Sequence, residues 1–170
     1  LPINRIAPTE NEQTFRSQLL RGDVRDPGAA MFGAPTGHAG LFSDAGDMAA
    51  ILQMLLNGGT YNGKQYLKKE TIDLFTSYHS EISRRGYGFD KPEKDNATRP
   101  EPYPAKSASA LTFGHTGYTG TCVWADPQSK LIFVFLSNRV YPNGSELLLK
   151  MNIRPKIFET IYQSLTGKHS

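Results

Sequence analysis

Few residues in this 170-residue chain combine types and spacing that could do chemistry. The densest group is Phe113-Gly114-His115-Thr116-Gly117-Tyr118-Thr119-Gly120, which opens a β-branched and aromatic run and so reads as the start of an antiparallel meander. An imidazole there attracts a carboxylate when protonated, or donates one hydrogen bond when neutral. The plain structural alternative for His115-Thr116-Gly117 is a strand that ends in a bulge. His38 sits in a Gly/Pro/Ala-rich stretch and is either a loop histidine satisfied by hydrogen bonds or part of a pocket lining. Cys122 alternates with Val123 and Trp124 in a strand pattern, which predicts a packed thiol. As the single cysteine it excludes an internal disulfide and a cysteine metal cage.

The elements that must position these groups follow from pattern. Residues 1 to 21 read as a polar lead with a short helix around Glu12 to Leu20, and 22 to 42 as a long loop. Ser43 reads as an N-cap, with Asp44 and Asp47 suited to the positive helix end. Met48, Ile51, Leu52, Leu55 and Leu56 then fall at helical spacing until Gly58. A Gly-Gly-Thr-Tyr-Asn-Gly turn leads to a second helix over Lys68 to Tyr78, with Ile72 and Phe75 on its buried side. Gly86 to Phe89 reads as a short strand. Four prolines between 90 and 108 predict an extended loop. Strands are predicted at Leu111 to Thr116, Thr121 to Ala125 and Leu131 to Asn138, with Asp126-Pro127-Gln128-Ser129 as the last turn. A helix over Asn152 to Leu165 closes the chain, its stripe made by Ile157, Phe158, Ile161, Tyr162 and Leu165. Tyr141-Pro142-Asn143 reads as turn chemistry. The fold class is α+β in one partial domain: a helical and loop part over 1–80, a Pro-rich loop over 81–110, then strands and a helix over 111–170.

His115-Thr116-Gly117 resembles the Lys-Thr-Gly strand of penicillin-recognising serine hydrolases. Gly37-His38-Ala39-Gly40-Leu41-Phe42-Ser43 with Asp47-Met48 upstream, and Leu136-Ser137-Asn138-Arg139 downstream, resemble segments of the branch that holds class C β-lactamases and related esterases. The resemblance implies a helical lobe beside an antiparallel sheet covered by the C-terminal helix, and no cofactor. It places His115 where the family has lysine, so ester or peptide hydrolysis becomes as plausible as β-lactam hydrolysis. It gives the Thr116 hydroxyl to the substrate carboxylate, Gly117 to close approach of the substrate backbone, and the Tyr118 N–H to half of an oxyanion hole. It assigns His38 no role. With His115 as the cation, carboxylate affinity should fall as pH rises.

The family nucleophile, Ser-x-x-Lys, is missing, since no serine here has lysine three residues later. The chain is therefore expected to be inactive alone and to be a fragment whose N-terminal half lies elsewhere in the protein. Three functions are open: the C-terminal part of a serine hydrolase, a cell-wall-binding accessory module of the kind fused to family 3 β-N-acetylhexosaminidases, or an interaction domain whose His-Thr-Gly is accidental. The expected substrate is a small molecule or a cell-wall peptide, amide or ester, and the expected location is the cell envelope. Nineteen Lys and Arg against sixteen Asp and Glu give a net charge of +3, scattered along the chain, which argues against nucleic-acid binding. The run Leu131 to Leu136 is far too short to cross a bilayer. It is apolar and uncharged, and if its strand lacks a neighbour it should drive self-association through Leu131 to Asn138.

Overall fold

The computed structural model describes residues 2–167. Its centre is a three-stranded antiparallel sheet in the order β5-β6-β7, with β5 at Phe113–Thr116, β6 at Cys122–Asp126 and β7 at Leu131–Phe135. The register pairs Gly114 with Trp124 and His115 with Val123 across the first hairpin, and Trp124 with Phe133 across the second. Asp126 accepts from the Gln128 N–H at 2.9 Å, and Lys130 takes a positive φ of 53°, so the second turn folds as its sequence predicts.

Because side chains alternate along a strand, the sheet has two apolar faces. On one, Phe113 and Ala125 pack with Leu52 of α2 (Ala45–Leu56), joined by Val123, Ile132 and Val134. On the other, Cys122, Trp124 and Phe133 pack with Phe158 and Tyr162 of α5 (Ile153–Thr166). The Phe133 and Phe158 rings stack with centroids 4.6 Å apart. The mixture of helices and antiparallel sheet is the α+β class read from sequence. Cys122 is buried, and burial pushes its thiol up to about 11, so it is packed and unreactive as expected.

Several boundaries differ, each for a visible reason. The helix expected over Glu12 to Leu20 is instead a hairpin of β1 (Glu10–Glu12) and β2 (Gln18–Leu20). Its turn forms around the Glu12 carboxylate, which accepts from the Thr14 hydroxyl and from the N–H groups of Thr14, Phe15, Arg16 and Ser17. Those bonds, the Thr14 hydroxyl's first, hold its pKa well below the usual carboxylate range. Within the 22 to 42 loop lies a short helix, α1 (Pro27–Met31), whose N-cap Asp26 accepts from the Ala29 N–H at 2.8 Å. The N-cap of α2 is Asp44, not Ser43, since the carboxylate reaches the Asp47 N–H at 3.0 Å.

The Gly-Gly-Thr-Tyr-Asn-Gly turn is a small hairpin of β3 (Thr60–Tyr61) and β4 (Lys64–Gln65), and α3 spans Lys69–Thr76. Ile72 of α3 is buried, whereas Phe75 is partly exposed and meets the edge of the Tyr87 ring. Gly86 to Phe89 forms no strand; only Asp90 pairs with Gly114, through reciprocal backbone bonds of 2.8 and 3.0 Å. The proline-rich stretch after it has no helix or strand, as expected. A one-turn helix α4 (Leu147–Lys150) precedes α5, whose buried face is Phe158 and Tyr162, while Ile157 and Leu165 lie exposed. The third strand is the outer one, with the open edge on which the self-association reading rests: among the described residues, the far edge of β7 carries no backbone hydrogen bond.

Lys91 is 2% exposed, with its ammonium donating to the Thr112 carbonyl at 3.1 Å and lying over the Tyr78 ring. Burial lowers its pKa from 10.5 to about 8, partly offset by Asp126. The unfolded chain therefore keeps a proton that the folded chain releases, and folding stability should rise as pH climbs from about 8 towards 10. The contribution is on the order of 3 kcal/mol. Chemical denaturation of the parent and Lys91→Met across this range isolates it, because Cys122, Tyr103 and Tyr162 titrate alike in both. The difference curve should slope with pH; a flat difference removes the buried amine as the cause.

A Cβ on Gly114 would lie 2.1 Å from the Val123 carbonyl oxygen and 2.8 Å from the Trp124 Cα, both backbone atoms that cannot move without parting β5 from β6. Gly114→Ala should cost about 3 kcal/mol, at the upper end for overpacking. At Gly117 the obstacle is the Thr121 hydroxyl, which can rotate away, so Gly117→Ala should cost about 1 kcal/mol. Thermal melts of the two variants should rank in that order.

Candidate substrate-binding site at the end of strand β5

Strand alternation decides where the candidate residues go. Phe113 and His115 share the α2 face, while Gly114 and Thr116 share the α5 face with Trp124 and Cys122. Phe113 is buried in the core, and two residues later His115 emerges into solvent at the strand end. Its ring is fixed at both nitrogens: Nδ1 lies 2.8 Å from the Thr116 carbonyl oxygen, and Nε2 lies 2.8 Å from Nη1 of Arg85. A carbonyl can only accept and a guanidinium can only donate, so the ring hydrogen sits on Nδ1 and Nε2 accepts.

Thr116 is half-buried and turns to the other face. There it lines a cavity of about 200 Å³ with Tyr103, Trp124, Arg154 and Phe158. Tyr103 closes that side and donates to Asp90 at 2.9 Å. Burial, then the neighbouring Asp90 charge, pushes the Tyr103 phenol above its ordinary pKa. Burial also works against the Asp90 carboxylate, but hydrogen bonds from Arg84 and Tyr103 outweigh it and hold its pKa low. The imidazole of His115 and the hydroxyl of Thr116 thus do not converge on one point; the Thr116 carbonyl, not its hydroxyl, meets the histidine.

The turn from β5 to β6 is closed by Gly117 N–H donating to the Thr121 carbonyl at 2.8 Å and Gly120 N–H donating to Gly117 at 3.1 Å. A Cβ at Gly117 would meet the Thr121 hydroxyl at 2.4 Å. Tyr118 is the tip. Among the described residues its N–H makes no hydrogen bond, while its carbonyl accepts from Arg139 Nε at 2.7 Å. The Tyr118 ring lies between two guanidinium groups, Arg25 and Arg139, each 4.3 Å from its centroid. Arg25 is in turn paired with Glu10 at 2.9 Å. The segment after β7 completes the clamp: Ser137 Oγ donates to the Gly120 carbonyl at 2.8 Å, and Arg139 N–H donates to Thr119 at 2.8 Å.

His38 is held elsewhere. Its Nδ1 meets Thr36 Oγ1 at 3.0 Å and its Nε2 meets Asp26 at 3.3 Å, so it is a hydrogen-bonded loop histidine, and it does not line the cavity beside Thr116. Asp26 is held below the ordinary carboxylate pKa by the Ala29 N–H and then by His38. Sequence reading missed Arg85, Arg25 and Arg139, which carry no spacing signal relative to His115 or Tyr118; only Arg139 stood inside a quoted segment. Among the described residues no cluster of His, Cys, Asp or Glu could hold a metal ion, and no helix is long and apolar enough to cross a membrane.

Comparison with known proteins bears on this arrangement. A family model described as Beta-lactamase matches residues 5–156. A protein named "Putative D-alanyl-D-alanine carboxypeptidase" from Escherichia coli (strain K12) is 40% identical over 126 residues, covering 74% of this chain and 28% of that protein. Its namesake from Salmonella enteritidis PT4 (strain P125109) is 38% identical over 145 residues, covering 85% of this chain and 32% of that protein. The chain therefore spans less than a third of the length of these relatives. A solved structure titled as a putative beta-lactamase from Bacteroides dorei DSM 17855 aligns with a TM-score of 0.45 and 15% identity, covering 76% of this chain and 43% of that one. With the family match running from the first hairpin through the sheet into the start of α5, the chain belongs to the Beta-lactamase family of serine-hydrolase-like domains.

Proposed function

We propose that this chain forms the substrate-recognising wall of a serine hydrolase that cleaves peptides ending in a D-amino acid, with nucleophile and base supplied by another part of the same polypeptide. The observation that carries the reading is the Tyr118 N–H, which among the described residues has no partner, at a turn that Arg139, Ser137 and Thr121 hold rigid. A fixed, unpaired donor beside an exposed strand end suits a developing oxyanion, where one such bond is worth about 3 kcal/mol. In this reading the substrate carboxylate lies at the end of β5, and Gly117 keeps the path along the turn open. Thr116 contributes its carbonyl, which orients the imidazole. The names of the D-alanyl-D-alanine carboxypeptidase relatives support the choice of substrate class. Such substrates belong to the cell wall, so in this reading the protein acts in the cell envelope.

A fluorescent penicillin tests the reading. The chain alone has no Ser-x-x-Lys and should take up no covalent label, whereas the full-length protein should be labelled at one serine. Covalent labelling of the chain alone overturns the division of labour. A full-length protein that binds cell-wall fragments and takes no label points instead to an accessory binding module.

The free edge of β7 supports a second proposal, on assembly. An outer strand reading Leu131-Ile132-Phe133-Val134-Phe135, with no charge, offers a row of backbone groups that are unpaired among the described residues. Isolated from the rest of its polypeptide, the chain should dimerise by antiparallel pairing of two β7 edges. Light scattering during size exclusion at micromolar concentration, with hydrogen exchange on β7, measures this. The expected result is a dimer whose β7 amides lose protection on dilution. A monomer with a cooperative thermal transition shows that the edge is covered within the chain.

A further inference from the structure

We propose that Arg85 is the cation that fixes the substrate carboxylate at the end of β5, and that His115 is the neutral acceptor that holds its guanidinium there. The proposal rests on the hydrolase reading for the identity of the substrate, but the anion site itself stands on this chain's geometry. Both nitrogens of His115 are committed, one to the Thr116 carbonyl and one to Arg85. The ring therefore has no N–H left for a ligand. The positive charge at this point belongs to Arg85.

Arg85 is well placed to use it. The residue is exposed and, among the described residues, makes no ion pair within 4.0 Å. The adjacent Arg84 is the contrast: it is saturated by Asp90 at 2.7 Å and Glu93 at 2.7 Å. Of the five donors on a guanidinium, the His115 bond uses one, so a fork of N–H groups remains that matches a carboxylate in two-point geometry. The backbone is fixed as well. Tyr87 N–H donates to Phe75, Gly86 N–H donates to Phe89, and Asp90 pairs reciprocally with Gly114 beside the histidine. The charge of Arg85 acts on Asp90, which is buried and already bound by Arg84 and Tyr103. That carboxylate does not compete with a ligand at the surface.

The test uses the isotope-labelled 170-residue chain, titrated with N-acetyl-D-alanyl-D-alanine and separately with its C-terminal amide. The free chain should show a His115 ring protonated on Nδ1. The carboxylate should shift the Arg85 Nε and His115 ring signals while the amide leaves them in place. Arg85→Gln should weaken carboxylate binding by at least about tenfold, as expected for loss of a charged hydrogen bond. Arg85→Lys should restore part of it, a point charge without the fork. Equal binding of acid and amide, no binding of either, parental affinity in Arg85→Gln, or an Nε2-protonated ring in the free chain would each overturn the proposal. The hydrolase reading fails separately: a full-length protein that takes no penicillin label, beside a chain whose carboxylate binding still needs Arg85, removes the enzyme and leaves the anion site.

Discussion

Everything in this molecule depends on β6 being covered on both faces. Trp124 and Cys122 face the α5 side and Ala125 faces the α2 side, so consecutive residues of a five-residue strand lie in two different cores. Neither helix could be held without the strand, because each finds its apolar partner on only one face of it. The strand is also hydrogen-bonded along both edges, to β5 and to β7, which leaves it no freedom to slide: a slip of one residue would exchange the two cores.

That constraint passes to the candidate site through register. Gly114 must lie opposite Trp124 with no side chain of its own, and fixing Gly114 fixes His115 outward and Thr116 towards α5. The same glycine bonds with Asp90, so the segment that carries Arg85 is aligned against β5 by the residue that seats the strand. Charge is then sorted by position. Arg84 goes inward to neutralise buried Asp90, and Arg85, one residue later, goes outward to the histidine. Tyr118 is positioned by another route, with Arg25 from the N-terminal part and Arg139 from beyond β7 closing on its ring. The two halves of the site thus answer to different parts of the chain.

The sheet and its two covering helices were legible because their patterns are local: short β-branched and aromatic runs bounded by turn residues for β6 and β7, and period 3.6 with a cap and a terminal glycine for α2. Even the bland readings of His38 and Cys122 followed from their neighbours. The first hairpin was not legible, since Glu12 organises its turn by collecting N–H groups, a contact that leaves no periodicity. Nor was the orientation of Thr116, which depends on the exact residue at which β5 meets β6. Arg85 was hidden for a plainer reason. It stands 30 residues before His115, and the isolated Asp90–Gly114 bridge brings the two segments together.

Lys91 has a consequence beyond the energy of its burial. Its amine is sealed between Tyr78 and the Thr112 carbonyl, under the segment that presents Arg85. No acylating reagent can reach it without the 84–92 segment first lifting from β5. Each opening hydrates the amine, which then regains the ordinary lysine pKa and reacts as a surface lysine does. The lysine is therefore a built-in clock. The rate at which it is acylated, set against an exposed lysine such as Lys130, counts how often the wall of the site comes apart.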